Sequence, residues 1–301
     1  SACPALQPVS TGDRGKAMRS IVQIGFGAAL LCAALVATAA DRGSGHFRKG
    51  EVRLEAKHVI AVTVDEDGDA ASAQTYVYLS SVPMDARKVA SAFQPSSAAE
   101  EQLGDGSAGY VRICINAEGA ECGLYFSHNN PSASFNSSGY GVFKLDPAPK
   151  GRIAGRWVLA EPDDFFGETY DFDLTFDVAI TPPPGTALPA DGGEPGKAYR
   201  AWTTAVAKGD LAVLRRLVGG DYNAWRIKSD DESDVKAALK DLRDGTPVQA
   251  RVLRGRIDGD DAVLWVEGKD RDDILRRGRV SLTRADGEWR YMEADLDSVS
   301  D

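Results

Sequence analysis

Alternation of apolar and polar residues dominates the chain between residues 57 and 180. Ile60, Val62 and Val64 share one face of a strand predicted over 57–64, with Val59, Ala61 and Thr63 on the other, the period of two that an extended chain imposes. An acidic turn at 65–69 leads into a second run, Tyr76-Val77-Tyr78-Leu79. Further strands are predicted over 109–116, 122–127, 139–145, 152–160 and 169–180 on the same pattern. Two stretches break it. Ala86, Val89, Ala90 and Phe93 fall at helical spacing over 85–93, and a short helix is expected over 97–103. Many short strands with Gly, Asn and Pro turns predict a mainly antiparallel β domain over 47–180, a sandwich or partly open barrel.

Past residue 196 the period becomes helical. Tyr199, Trp202 and Val206 form one stripe over 197–208, Gly209 ends it, and Asp210 caps a second helix in which Leu211, Leu214, Leu217 and Val218 repeat at three and four. A third helix over 231–244 buries Val235, Ala238, Leu239 and Leu242 and stops at Gly245. Four strands follow, over 248–257, 262–267, 279–284 and 288–294, with Asp-Gly turns at 258–259 and 286–287. The prediction for 197–301 is an α+β domain, helices packed on a curved four-stranded antiparallel sheet. Between the halves, TPPPGTALPADGGEPG at 181–196 has nine Pro or Gly in 16 residues and no hydrophobic period, the composition of a linker.

The opposite end of the chain bears on location. Met18-Arg19 supplies a short positive start, residues 21–36 an apolar core, and Ala37-Thr38-Ala39-Ala40 a small-residue cleavage region, so 18–40 reads as a secretory signal and the protein as exported, periplasmic or secreted. The alternative is a retained anchor, since the apolar run approaches the roughly 20 residues that span a bilayer. Lipid attachment at Cys32 lacks the small residue that usually precedes a lipoprotein cysteine. Residues 1–17 carry no apolar period and read as untranslated or disordered leader.

Formal net charge is −10, unevenly spread: 12 Lys and Arg against 23 Asp and Glu over 41–196, but 20 against 21 over 197–301. Such an acidic surface repels phosphate backbones and anionic lipid headgroups within a Debye length of roughly 8–10 Å, which argues against nucleic acid and, once the signal is removed, against a membrane. Cys114 and Cys122 flank the turn Ala117-Glu118-Gly119, so a hairpin sets Cys114 opposite Cys122, and export favours the disulfide over two reduced thiols. No cofactor motif and no complete metal-ligand set is present in the sequence.

Asp163, Asp164, Glu168, Asp171, Asp173 and Asp177 form the densest carboxylate group. A strand there buries Phe172, Leu174, Phe176 and Val178 and projects Asp171, Asp173 and Asp177 as one row, either a solvated face or a weak calcium or cationic-ligand site. The turn 65–69 fails as a calcium loop, because its glycine falls at the fourth position and Tyr76 stands where a bidentate Glu is required. His58 and His128 are the histidines expected in folded regions, and Ser127-His128 lacks the elbow of a hydrolase nucleophile. Arg276, Arg277 and Arg279 beside Asp270, Asp272 and Asp273 read as a solvated hairpin tip.

The run 165–177, FFGETYDFDLTFD, resembles the closing strand of an uncharacterised β-rich domain of exported bacterial proteins, in which a Pro-rich linker and a small α+β domain follow. The second half, with KAYRAW at 197–202, KGDLAVLRRLV at 208–218, DGDDAVLWVEG at 258–268 and RADGEWRY at 284–291, resembles the nuclear-transport-factor-2-like or SnoaL-like superfamily. That resemblance implies a sheet curled around a helix with an apolar cone, which in some relatives holds a ligand or an active site. Enzymes of the superfamily place an Asp or His in the cone as general base. In this sequence no histidine follows residue 128 and no carboxylate occupies an apolar inward position. Tyr199, Trp202, Tyr222, Trp225 and Trp265 are the candidate ligand-binding residues, as core or as pocket wall. The reading that results is an exported, non-enzymatic binding or interaction protein of the cell envelope, its partner an envelope protein or an apolar small molecule. The rival is a small-molecule enzyme or ligand-binding protein that uses the cone, with Tyr222 or an inward Asp as acid or base.

Overall fold

Sixteen strands in two sheets, five helices and a short helical stretch at 226–228 make up the described part of the computed structural model, which covers residues 40–65, 72–220 and 226–299. The segment read as signal peptide lies outside the described residues except for Ala40, as do 66–69 of the acidic turn. Among the described residues no helix is long and apolar enough to cross a membrane.

The larger sheet is mixed. It contains β1 (Arg42–Lys49), β2 (Val52–Ala56), β3 (His58–Val64), β4 (Gln74–Ser80), β5 (Gly109–Ile115), β6 (Glu121–Asn129), β7 (Ser132–Ser137), β8 (Val142–Asp146), β9 (Arg152–Val158), β10 (Asp163–Phe165) and β11 (Glu168–Thr181). The 14-residue β11 joins two arms. Its first flank pairs with β1 antiparallel and then, at Ile180 and Thr181, with β3 in parallel; its other flank pairs with β10 and β9. One arm runs β2-β1-β11-β9-β8 and the other β3-β4-β5-β6-β7. Phe47, Leu54, Trp157, Phe172 and Phe176 from the first share a core with Val77, Val111, Ile113, Phe126 and Phe135 from the second.

The reverse face of the second arm is also buried. Ile60, Val62, Tyr78 and Tyr110 pack there against Val89, Ala90 and Ala99 of α1 (Ala86–Ser91) and α2 (Pro95–Glu101). Covering both faces explains why β3 and β4 read as near-continuous apolar runs and not as a clean alternation. Asp85 caps α1 by accepting from the backbone N–H groups of Arg87 at 2.8 Å and Lys88 at 3.2 Å.

The second sheet is antiparallel with five strands, not four. To β13 (Arg251–Asp258), β14 (Asp261–Lys269), β15 (Leu275–Ala285) and β16 (Glu288–Ser298) it adds β12 (Thr186–Ala187) on the outer edge of β13. That extra strand comes from the Pro/Gly segment expected to be a spacer, and the same segment supplies the first turn of α3 (Gly193–Lys208). With α4 (Leu211–Leu217) and α5 (Glu232–Gly245), α3 packs on one face of the sheet. Asp286 and Gly287 both adopt positive φ, 54° and 79°, as the tight turn between β15 and β16 demands.

The folded chain also begins earlier than the predicted boundary at 47. β1 starts at Arg42 and brings a third histidine, His46, into the sheet. Its alternation is masked in the sequence by Gly43, Ser44 and Gly45.

Candidate functional site

The expected pocket residues separate onto opposite faces of the second sheet. Tyr199 and Trp202, each 1% exposed, sit in the core between sheet and helices, where the Trp202 ring stacks on Tyr291 at 4.4 Å. Burial pushes the Tyr199 hydroxyl well above the ordinary tyrosine range, and its oxygen has no hydrogen-bond partner among the described residues. Tyr222 and Trp225 lie outside the described residues. Trp265 faces the other way. Ala262, Leu264 and Val266 of β14 enter the core, so the alternation of the strand places Val263 and Trp265 on the face remote from the helices.

Strand register builds that face. Arg254 pairs with Trp265, Trp265 with Arg279, and Arg279 with Asp295, making one row across four strands. The next row is Arg256, Val263, Ser281 and Glu293. Over these rows lie the end of α1 with Ala92 and Phe93, and Pro183 and Pro184 of the chain entering β12. Together they enclose two adjoining cavities of about 360 and 310 Å³ that share Phe93, Arg256 and Val263. Each falls within the size range of small-molecule sites.

Three guanidinium groups therefore meet in one cleft. Arg254 lies over the Trp265 ring, 3.7 Å from its centroid, and pairs with Asp65, while the Trp265 Nε1–H donates to the Asp65 carbonyl at 3.0 Å. Arg279 is 6% exposed, donates to Asp295 at 3.2 Å, stands 4.9 Å from the Phe93 ring, and among the described residues leaves its Nε without a hydrogen-bond partner. Arg256 donates to the Pro184 carbonyl at 3.2 Å and makes no ion pair among the described residues. Burial, followed by the positive charges of Arg254 and Arg279, pulls its pKa below the ordinary arginine value. Side chains two apart on a strand stand about 7 Å apart, and unit charges at that distance repel by about 2 kcal/mol at an effective dielectric of 20. Among the described residues, Asp65 and Asp295 answer the three arginines at this end of the cleft, while Asp258, Asp261 and Glu293 line the smaller cavity beyond Arg256, and Asp258 acts on the Arg256 charge.

The acidic strand has a different character. Asp171 accepts from His46 at 2.8 Å and from Arg48 at 2.7 Å; Asp173 accepts from Arg156 at 2.8 and 2.6 Å; Asp177 accepts from Arg152 at 3.1 and 2.8 Å. Cross-strand cations thus occupy the row, and among the described residues no group of three or more His, Cys, Asp or Glu is placed to hold a metal. Arg156 holds the Asp173 carboxyl below the usual range. For Asp171 burial opposes the charged form, but the hydrogen bonds from His46 and Arg48 outweigh it and lower the pKa.

Three smaller expectations change in detail. Cys114 and Cys122 are bonded with Cα atoms 5.0 Å apart, yet the register partner of Cys114 is Gly123, and Cys122 occupies a bulge between Glu121 and Gly123. His128 is buried and bonded through Nδ1 to the Pro131 carbonyl at 2.8 Å. The charged run after β14 is not a solvated tip throughout: Asp270 is 4% exposed and accepts from Arg276 at 2.8 Å and from the backbone N–H groups of Asp272 and Ile274. Arg277 turns to Glu267 and Arg279 to the cleft. Comparison with family models, curated proteins and solved structures returns no match to this chain.

Proposed function

We propose that the protein is an exported, non-enzymatic binding protein of the bacterial cell envelope and that its ligand site is the cleft beneath Phe93 and Pro184. The observation that carries this reading is the convergence of Trp265, Phe93 and three arginines on paired cavities walled by both halves of the chain. A purely structural contact has no use for repelling, partly desolvated charges beside open volume. The Cys114–Cys122 bond fits an oxidising compartment and so supports export. In the same reading the second half is a nuclear-transport-factor-2-like domain used as a scaffold, its helix-side core filled by Trp202 and Tyr291 and its binding surface transferred to the opposite face of the sheet.

A thermal-shift screen of small molecules against the purified protein tests the site. Ala92→Trp, which fills the larger cavity from the α1 side, is expected to abolish the shifts produced by authentic ligands. Ligands that stabilise this variant as strongly as the parent overturn the placement.

A further inference from the structure

We infer that the arginine end of the cleft binds an oxyanion, a carboxylate or phosphate group carried on a small apolar body. This assignment rests on the cleft reading above and adds the chemical class of ligand.

The charge inventory is the first support. Asp65 is committed to Arg254 and Asp295 to Arg279, whereas among the described residues Arg256, between the two cavities, has only the Pro184 carbonyl as hydrogen-bond acceptor, Asp258 acting on its charge without pairing with it. A guanidinium presents five N–H donors in a planar fork matched to carboxylate and phosphate, so Arg256 retains unused donor capacity where both cavities meet. Arg279 adds a nine-tenths-buried cation whose Nε is unpartnered among the described residues. An anion at this point would relieve the mutual repulsion of the arginines and replace lost hydration with charge-assisted hydrogen bonds.

The remaining lining defines the ligand's body. Val263, Phe93 and Trp265 supply apolar and aromatic surface beside the arginines, whereas the smaller cavity presents the carboxylates of Asp258, Asp261 and Glu293 with the hydroxyls of Ser281 and Thr283, which directs the anionic group to the larger cavity. A cavity of about 360 Å³ accommodates a single ring with its anionic substituent. A bare inorganic anion would leave the aromatic surface unused.

Titration calorimetry of the purified protein with phenyl phosphate, benzoate, inorganic phosphate and neutral benzyl alcohol tests the inference. Saturable binding is expected for phenyl phosphate or benzoate, at least tenfold tighter than for benzyl alcohol and tighter than for inorganic phosphate. The better of the two ring anions identifies the preferred headgroup. Arg256→Gln should weaken it by about ten- to a hundredfold, the range of a charge-assisted hydrogen-bond pair. Val263→Glu, which sets a carboxylate directly across the strands from Arg256, should have the same effect and guards against a folding defect peculiar to the first variant. The anion assignment is overturned if the parent shows no saturable binding of either ring anion, or if both variants bind as tightly as the parent. Should benzyl alcohol bind as well as the anions, with Ala92→Trp abolishing all binding, the cleft stands and the anion assignment fails. If Ala92→Trp leaves anion binding unchanged, the cleft itself is refuted.

Discussion

Replacing Trp202 by alanine separates the two faces of the second sheet by their energetics. Trp202 is 1% exposed and packed among Tyr199, Val206, Leu264 and Tyr291. Its truncation leaves a sealed apolar void, for which large-to-small core changes cost about 3–5 kcal/mol, and it removes a parallel stack on Tyr291 worth about 0.5–1.5 kcal/mol. We expect a loss of about 4 kcal/mol, a large share of the 5–15 kcal/mol that ordinary domains possess. Trp265→Ala should cost about 3 kcal/mol, because Trp265 already borders a cavity that water can enter, although the Asp65 carbonyl loses its donor and Arg254 loses the ring beneath it. Urea denaturation of the purified protein followed by circular dichroism reads both values. With a slope of about 2–3 kcal/mol per molar, the Trp202 variant should move the midpoint by about 1.5 M. A midpoint within about 0.3 M of the parent, or a Trp265 variant less stable than the Trp202 variant, would refute the division into closed core and open cleft.

Expressed in a bacterium, the chain should appear in the exported fraction with its N-terminus at about Ala40 or Asp41; an intact 18–40 segment on N-terminal sequencing would favour an anchor instead. Cys122→Ser should destabilise by about 2–3 kcal/mol, the entropy of so short a loop, and non-reducing peptide mapping of the parent should recover the Cys114 and Cys122 peptides linked. Acid sensitivity should follow the carboxylate row. Because Asp171 and Asp173 are held below their unfolded pKa, their contribution is present above about pH 4 and is lost as pH falls through their folded values. Asp173→Asn should accordingly flatten the fall in urea midpoint below pH 4, and an unchanged slope would count against the pairing with Arg156.

Where one face of an element is buried, the sequence carries a period, and the elements were legible. Tyr170, Phe172, Leu174, Phe176 and Val178 are buried on β11 as alternation predicts, with Asp171, Asp173 and Asp177 on the opposite face. Asp210 accepts the backbone N–H bond expected of a cap, and Asp85 and Asp231, which the sequence pattern marks only as helix starts, cap their helices in the same way. β2 escaped despite its alternation of Val52, Leu54 and Ala56 with Arg53 and Glu55, but three others have little period to show. β1 begins RGSGH, β7 is SASFNS and β12 has two residues; β1 and β12 owe their conformation to the distant strands β11 and β13, and β7 to its hairpin with β6. Backbone ladders of this kind recruit segments without asking for apolar side chains, so a Pro/Gly run could read as a spacer and still close a sheet.

The cleft was hidden for a related reason. Trp265 drew notice as a large aromatic residue, but period alone cannot say which face of β14 meets the helices, since Leu264 and Val266 are as apolar as their neighbours. Only the pairing of Arg254 with Trp265 and of Trp265 with Arg279 converts three arginines scattered over 26 residues into one group. The bulge between Val252 and Arg254 contributes too, because it shifts the register so that Arg254 and Arg256 share the outer face while Val252 still enters the core. Run as a regular strand without the bulge, the same residues would turn Arg254 and Arg256 inward with Val252, the core would receive two cations, and the cleft would keep one of its three arginines. The bulge therefore keeps the core apolar on one face of the sheet and gathers the arginines on the other.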